Sequence, residues 1–240
     1  MEIIPLSSAI GAEVRGIDLR EPMDPETLQA VKDAWAEHII LLFRDQDLDE
    51  EAQIDFANQF GEVGSRARPV ERRAEGADYN AAIMLVSNAK KDGKYIGSLP
   101  DGEMWFHHDM CYVQKPHYGT FLYAMEIPST GGNTCYADMY KAYDLLDDAT
   151  KERVHGLTAL QIYDYATRET VSVEDDISKY KHFIQPVTVT HPHTGRRALY
   201  VNPLMTVRIE GLPEDESREL LDELFAYAEN RDIIYEHEWR

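Results

Sequence analysis

Within the run Glu103 to Tyr112, written EMWFHHDMCY, His107 and Asp109 stand two residues apart. Trp105, Phe106 and Tyr112 give that run the composition of a β-strand. On a strand, residues i and i+2 project to one side, where an imidazole nitrogen and a carboxylate oxygen can bind the same ion. A second histidine from elsewhere would complete a two-histidine, one-carboxylate facial triad. Such a triad leaves positions open on non-haem Fe(II) for a co-substrate and O2. The tripeptide alone is weak, because a shuffled chain of this composition holds about one His-x-Asp by chance. His108, between the two, is expected to point the other way and to pack rather than bind metal.

The elements that must position the pair are helices near the N-terminus and strands through the middle. Residues 3 to 19 alternate apolar strand-like runs with a turn at Gly11. Asp24-Pro25-Glu26 opens a helix with a cap, a first-turn proline and an early acid, and Leu28, Val31, Trp35 and His38 follow at helical spacing. Ile39 to Phe43 reads as a buried strand, and Leu48 to Phe60 as a second helix ending at Gly61. Residues 64 to 80 are polar and Arg-rich, and 90–94 and 98–102 read as turns. Strands are predicted near 118–126, 133–137, 157–164, 184–190, 197–202 and 232–239, with helices near 139–155 and 213–229. This is a mainly β chain with flanking helices, matching a jelly roll, and the whole of 1–240 is expected to be a single domain with lid segments at about 64–80 and 90–102.

Charge and cysteine content bound the partners. Lys and Arg total 24 against 44 Asp and Glu, a net charge of -20. That acidity opposes nucleic acid and anionic membranes and leaves a small molecule as the expected partner. Two cysteines, Cys111 and Cys135, cannot build a disulfide framework. The N-terminus has no basic, apolar leader, and no apolar run reaches membrane-spanning length. A cytoplasmic setting is expected.

Six ordered segments carry a resemblance: Gly11 to Leu19 (GAEVRGIDL), Ile40 to Gln46 (ILLFRDQ), Phe56 to Gly61 (FANQFG), Trp105 to Asp109 (WFHHD), Pro128 to Thr134 (PSTGGNT) and His191 to Asn202 (HPHTGRRALYVN). In order and content the chain resembles the taurine dioxygenase and 2,4-dichlorophenoxyacetate dioxygenase family of Fe(II)/2-oxoglutarate-dependent oxygenases. The resemblance implies a double-stranded β-helix, with Fe(II), 2-oxoglutarate and O2 as cofactor and co-substrates. It implies hydroxylation of a small organic substrate with release of succinate and CO2. His107 and Asp109 match the first two iron ligands and Thr134 a residue that hydrogen-bonds a 2-oxoglutarate carboxylate. Met110, Tyr112 and Met205 match positions lining the substrate pocket.

The Arg66, Arg68, Arg72 and Arg73 cluster follows FANQFG, in a region that covers substrate in the family. It suggests an anionic substrate, with Arg66 in the pocket. Gly64-Ser65-Arg66 stands where taurine-binding members carry a histidine, which disfavours taurine. The family continues past a strand like Ile233 to Trp239 into a further strand bearing the distal histidine and then an arginine that clamps 2-oxoglutarate. Both are expected beyond Arg240. The jelly roll would then be incomplete, with an exposed strand edge open to self-association into a homo-oligomer. The alternatives are a non-catalytic jelly-roll binding protein or an inactive fragment, and a related halogenase, against which Asp109 argues because chloride needs that position vacated.

Overall fold

The computed structural model describes residues 1–64, 79–98, 104–163 and 176–240. The chain divides into two compact units: Met1–Ile4, Ala12–Glu37 and Leu41–Met104 in the first, and Pro5–Gly11, His38–Ile40 and Trp105–Arg240 in the second.

The elements centred on the first unit are β1 (Glu2–Pro5), β2 (Ala12–Arg15), α1 (Pro25–His38), β3 (Leu41–Leu42), α2 (Glu50–Asn58) and the hairpin β4 (Lys90–Lys91) and β5 (Lys94–Tyr95). β2 lies between β1 and β3 and pairs with β3 in parallel, Ala12 opposite Leu41. The expected capping of α1 is present: one Asp24 oxygen accepts from the backbone N–H groups of Glu26 and Thr27, each at 3.0 Å. Those are helix-end donors that have no intrahelical partner. Asp49 caps α2 the same way through Ala52 N. Phe56 packs edge-on against Phe43 and Phe60, and Phe60 against Trp35. The stretch 90–94, expected to be a turn only, is a two-residue hairpin closed by Asp92 and Gly93, both with positive φ, as its twist requires.

In the second unit the chain runs β6 (Thr134–Ala137), α3 (Met139–Leu145), α4 (Asp148–Val154), β7 (Thr158–Tyr163), β8 (Lys181–Pro186), β9 (Thr188–Thr190), β10 (Arg197–Leu199), β11 (Thr206–Ile209), α5 (Glu214–Ala228) and β12 (Ile234–His237). The described ladders are antiparallel: β7 sits between β11 and β8, β9 pairs with β10, and β6 pairs with β12 with Thr134 opposite His237. The core lies where α3 and α5 meet these strands, around Leu146, Val187, Leu199, Val201, Leu220 and Leu224. Side chains of this kind each contribute about 1.5–3 kcal/mol when fully buried. α5 turns Leu220, Leu221, Leu224 and Phe225 inward and keeps Glu214, Asp215 and Glu216 in its first turn, where the helix dipole favours acids.

Several expectations are corrected. Ile39 to Phe43, expected as a buried strand, pairs only at Leu41–Leu42, which are half-buried, with Ile39 at φ +69°, and the helix expected near 139–155 is two, α3 and α4. Residues 118–126 form no ladder among the described residues, although their sequence alternates like a strand. Met104 to Tyr112 is not a strand either: Met104 to His108 belong to no ladder among the described residues, and the chain then turns through 109–112.

Candidate metal centre

The turn after His108 is closed by Cys111 N–H to the His108 carbonyl at 3.4 Å and Val113 N–H to the Met110 carbonyl at 3.2 Å. Met110 takes φ +58°, the left-handed region that a branched or long side chain adopts only under constraint. The turn still brings His107 and Asp109 together, with Nε2 to Oδ1 at 3.5 Å. The pairing expected from strand alternation is therefore reached by a different backbone.

Each member of the pair is held from behind. His107 Nδ1 lies 2.9 Å from the Trp105 carbonyl, and a carbonyl only accepts, so Nδ1 carries the proton. In the neutral ring, Nε2 then turns a lone pair toward a carboxylate. That arrangement needs a proton or a cation between the two groups. Thr120 Oγ1 donates to Asp109 Oδ2 at 2.7 Å, leaving Oδ1 to face the imidazole. Burial works to lower the His107 pKa, but Asp109 and the Trp105 carbonyl outweigh it and the net shift is upward. The hydrogen bond to His107 holds Asp109 below the usual carboxylate range; burial opposes this and Thr120 assists it. With 30% of the His107 side chain and 46% of Asp109 exposed, an ion can reach them from solvent. The donor types and their orientation fit a divalent metal. Among the described residues no third His, Cys, Asp or Glu joins the pair.

His108 behaves as the sequence suggested. It stacks on Tyr200 at 4.6 Å, and its Nδ1 lies 3.5 Å from Asn202 Nδ2. Burial drives its pKa down to about 4, so the ring is neutral at pH 7. His191, in the HPHTG turn, accepts the Thr194 N–H at Nδ1 and packs among Tyr118, Tyr140 and His193.

Thr134 begins β6, and its Oγ1 accepts the indole N–H of Trp239 at 3.0 Å. Met110 is half-buried and its sulfur accepts the Tyr112 hydroxyl at 3.1 Å. Tyr112 is buried against Tyr163 and Met205 against the Cys111 thiol, 3.5 Å from sulfur to sulfur. Arg66 and the other arginines of its cluster lie outside the described residues, as does most of the segment expected to be a lid at 64–80.

The supports of this site escaped the sequence reading. Asn202 was visible only as part of a motif, yet its Oδ1 accepts from Met205 N–H at 2.8 Å, and its amide reaches Gln161 as well as His108. Gln185, Thr120 and Trp239 gave one signal at most, a polar residue inside an apolar strand in the case of Gln185.

The family model described as taurine catabolism dioxygenase TauD, TfdA family matches residues 2–240. The chain belongs to that family. It is 30% identical to an (S)-phenoxypropionate/alpha-ketoglutarate-dioxygenase of Delftia acidovorans, over all of this chain and 83% of that protein. It is 32% identical to pentalenolactone F synthase of Streptomyces avermitilis, over 97% of this chain and 80% of the relative. The crystal structure of AAD-2 in complex with Mn(II) and N-oxalylglycine superposes with a TM-score of 0.80 at 28% identity, covering 100% of this chain and 85% of that one. The fold is accordingly the family's double-stranded β-helix with flanking helices. The chain is an Fe(II)- and 2-oxoglutarate-dependent dioxygenase acting on a small organic substrate. No helix among the described residues is long and apolar enough to cross a membrane.

Proposed function

We propose that His107 and Asp109 are two of the iron ligands, that Thr134 binds a 2-oxoglutarate carboxylate, and that the substrate is a small organic anion hydroxylated in a cytoplasmic setting by residues 1–240 acting as one dioxygenase domain. The observation that carries the metal assignment is the 2.9 Å approach of His107 Nδ1 to the Trp105 carbonyl with Nε2 3.5 Å from Asp109 Oδ1, from which we infer that Nδ1 holds the proton. Pinning the far nitrogen of a ligand histidine in this way sets its tautomer and its direction.

Iron, when bound, would supply open positions for 2-oxoglutarate and O2 and pass electrons between them; the electrons that reduce O2 come from 2-oxoglutarate and from R–H, which become succinate, CO2 and R–OH. The protein's own part is orientation. Thr120 keeps one Asp109 oxygen occupied so that the other stays aimed at the metal position. Trp239 fills a lone pair of Thr134 Oγ1, whose side chain also bonds the Tyr136 phenol; in this reading the Thr134 hydroxyl turns its proton to the carboxylate when 2-oxoglutarate binds. Met110, next to Asp109, is the pocket residue nearest the pair in sequence; the buried Tyr112 donates to its sulfur, and the buried Met205 packs against Cys111.

Two facts favour an anionic substrate: the Delftia relative is named for phenoxypropionate, a carboxylate, and the Arg66 to Arg73 segment is the cationic stretch of an acidic chain. The test is succinate formation from 2-oxoglutarate with Fe(II), measured with phenoxypropionate, an alkyl sulfate, taurine and an uncharged aryl ether. Stimulation by the aryloxy carboxylate above the substrate-free rate supports the reading. Equal or greater stimulation by the uncharged ether overturns the anionic assignment. Self-association is part of the same proposal and is read by sedimentation.

A further inference from the structure

The turn that presents Asp109 is held by a residue far away in sequence. Gln185, on the strand β8, is 6% exposed, and its side-chain Nε2 lies 3.0 Å from the Cys111 carbonyl and 2.7 Å from the Val113 carbonyl. A primary amide has two protons, and both are spent here on two backbone oxygens of one turn. Those oxygens lie within and just after the corner that begins with Asp109 and contains Met110 in the left-handed region. A non-glycine residue there costs about 1 kcal/mol or more and persists only where its surroundings impose it. On the other side the Phe106 carbonyl accepts from Leu204 N–H at 3.3 Å, and Asn202 meets the His108 ring. The ligand loop is thus tied before, within and after the His107–Asp109 pair; after Asp109 the Cys111 thiol meets Met205, and Gln185 holds the backbone carbonyls.

We propose that Gln185 is a positioning residue for the metal: by holding the Cys111 and Val113 carbonyls it imposes the left-handed turn at Met110 that points Asp109 toward His107. The proposal rests on the reading of His107 and Asp109 as ligands. It makes two linked claims. Losing the two donors lets the turn relax toward ordinary backbone and swings the carboxylate away. Supplying a residue that accepts φ +58° without strain removes the need for the clamp.

The test is titration of the metal-free protein with Co(II), whose d–d absorption reports both affinity and ligand geometry, in wild type, His107→Ala, Gln185→Glu, Gln185→Met and the double variant Gln185→Met with Met110→Gly. Gln185→Glu keeps the shape and removes both donors, placing a carboxylate against two carbonyls. Gln185→Met keeps the volume without charge, and is the variant read if Gln185→Glu does not fold. His107→Ala is expected to lose the Co(II) spectrum. The Gln185 variants are expected to bind roughly tenfold more weakly, the low end for groups that support metal ligands, with an altered spectrum. Met110→Gly is expected to restore most of that loss. Wild-type affinity in His107→Ala, or no Co(II) binding by wild type, overturns the ligand reading itself. Loss in His107→Ala with unchanged binding in both folded Gln185 variants leaves the ligands standing and overturns the positioning role. Weakened binding that Met110→Gly does not restore overturns it too, because simple packing by Gln185 gives that result.

Discussion

Replacing Trp239 by Phe removes one hydrogen-bond donor while keeping an aromatic ring where Trp239 packs edge-on against His237, 4.6 Å between centroids. The lost bond is the 3.0 Å contact from the indole N–H to Thr134 Oγ1. A neutral bond of this kind is worth about 0.5–1.5 kcal/mol net. Without it the Thr134 hydroxyl loses one of the two bonds that orient it, so the Michaelis constant for 2-oxoglutarate is expected to rise by about two- to tenfold, at 1.36 kcal/mol per factor of ten. On the proposed role of Thr134, Thr134→Ala removes a bond to the charged carboxylate, about 1.5–3 kcal/mol, and the constant is expected to rise by roughly 10- to 150-fold. The two residues act in series, so Trp239→Phe has no further effect in the Thr134→Ala background. The assay is the initial rate of succinate formation at saturating Fe(II) and substrate as 2-oxoglutarate is varied, in wild type, both single variants and the double variant. Equal effects of Trp239→Phe in the presence and absence of the Thr134 hydroxyl would refute the reasoning. An unchanged constant in Thr134→Ala would remove Thr134 from the co-substrate site.

Thr120→Val takes away the donor to Asp109 Oδ2, so the Asp109 pKa rises and divalent metal binds about threefold to tenfold more weakly, the gain being discounted because the carboxylate is partly exposed; calorimetric titration with Mn(II) checks it. His108 is depressed to about 4 in the folded protein against 6.5 in an unfolded chain. Between those values the unfolded state binds the extra proton, so the stability of the metal-free protein falls as pH drops from about 6.5 to 4, by up to about 1.4 kcal/mol per pH unit from this group. Urea unfolding of wild type and His108→Gln at several pH values reads the difference, and identical slopes would contradict it. Cys111 is buried with its thiol pushed up to about 12, whereas Cys135 is exposed. A thiol reagent should therefore modify one cysteine quickly in the native protein and the second only on unfolding.

The His107–Asp109 pair was legible because its residue types are few and its spacing short, but the backbone behind it was not. Strand alternation predicted a shared face, while the chain makes a turn with Met110 at positive φ. The forces responsible are non-local: the amide of Gln185, the N–H of Leu204 and the side chain of Asn202 all come from beyond residue 184. Local propensity cannot weigh such ties against a strand. The same limit explains 118–126, where a strand-like sequence has no ladder among the described residues, since pairing belongs to the partner as much as to the strand. β11 went unrecognised because Thr206 to Ile209 is short and follows directly on the Asn202-Pro203 turn. The start of α1 fared better: Asp24 satisfies helix-end donors within three residues, so its signal is wholly local, whereas the equally local cap Asp49 of α2 was not read.

The most direct test of the central claim is Fe(II)-dependent conversion of 2-oxoglutarate to succinate, compared in wild type, His107→Ala, Asp109→Ala and His108→Ala after each has been shown to be folded. Wild type is expected to form succinate only with added Fe(II), His107→Ala and Asp109→Ala to lose that activity, and His108→Ala to retain most of it, since its ring packs on Tyr200 rather than facing the metal position. Wild-type rates in His107→Ala or Asp109→Ala would contradict the account.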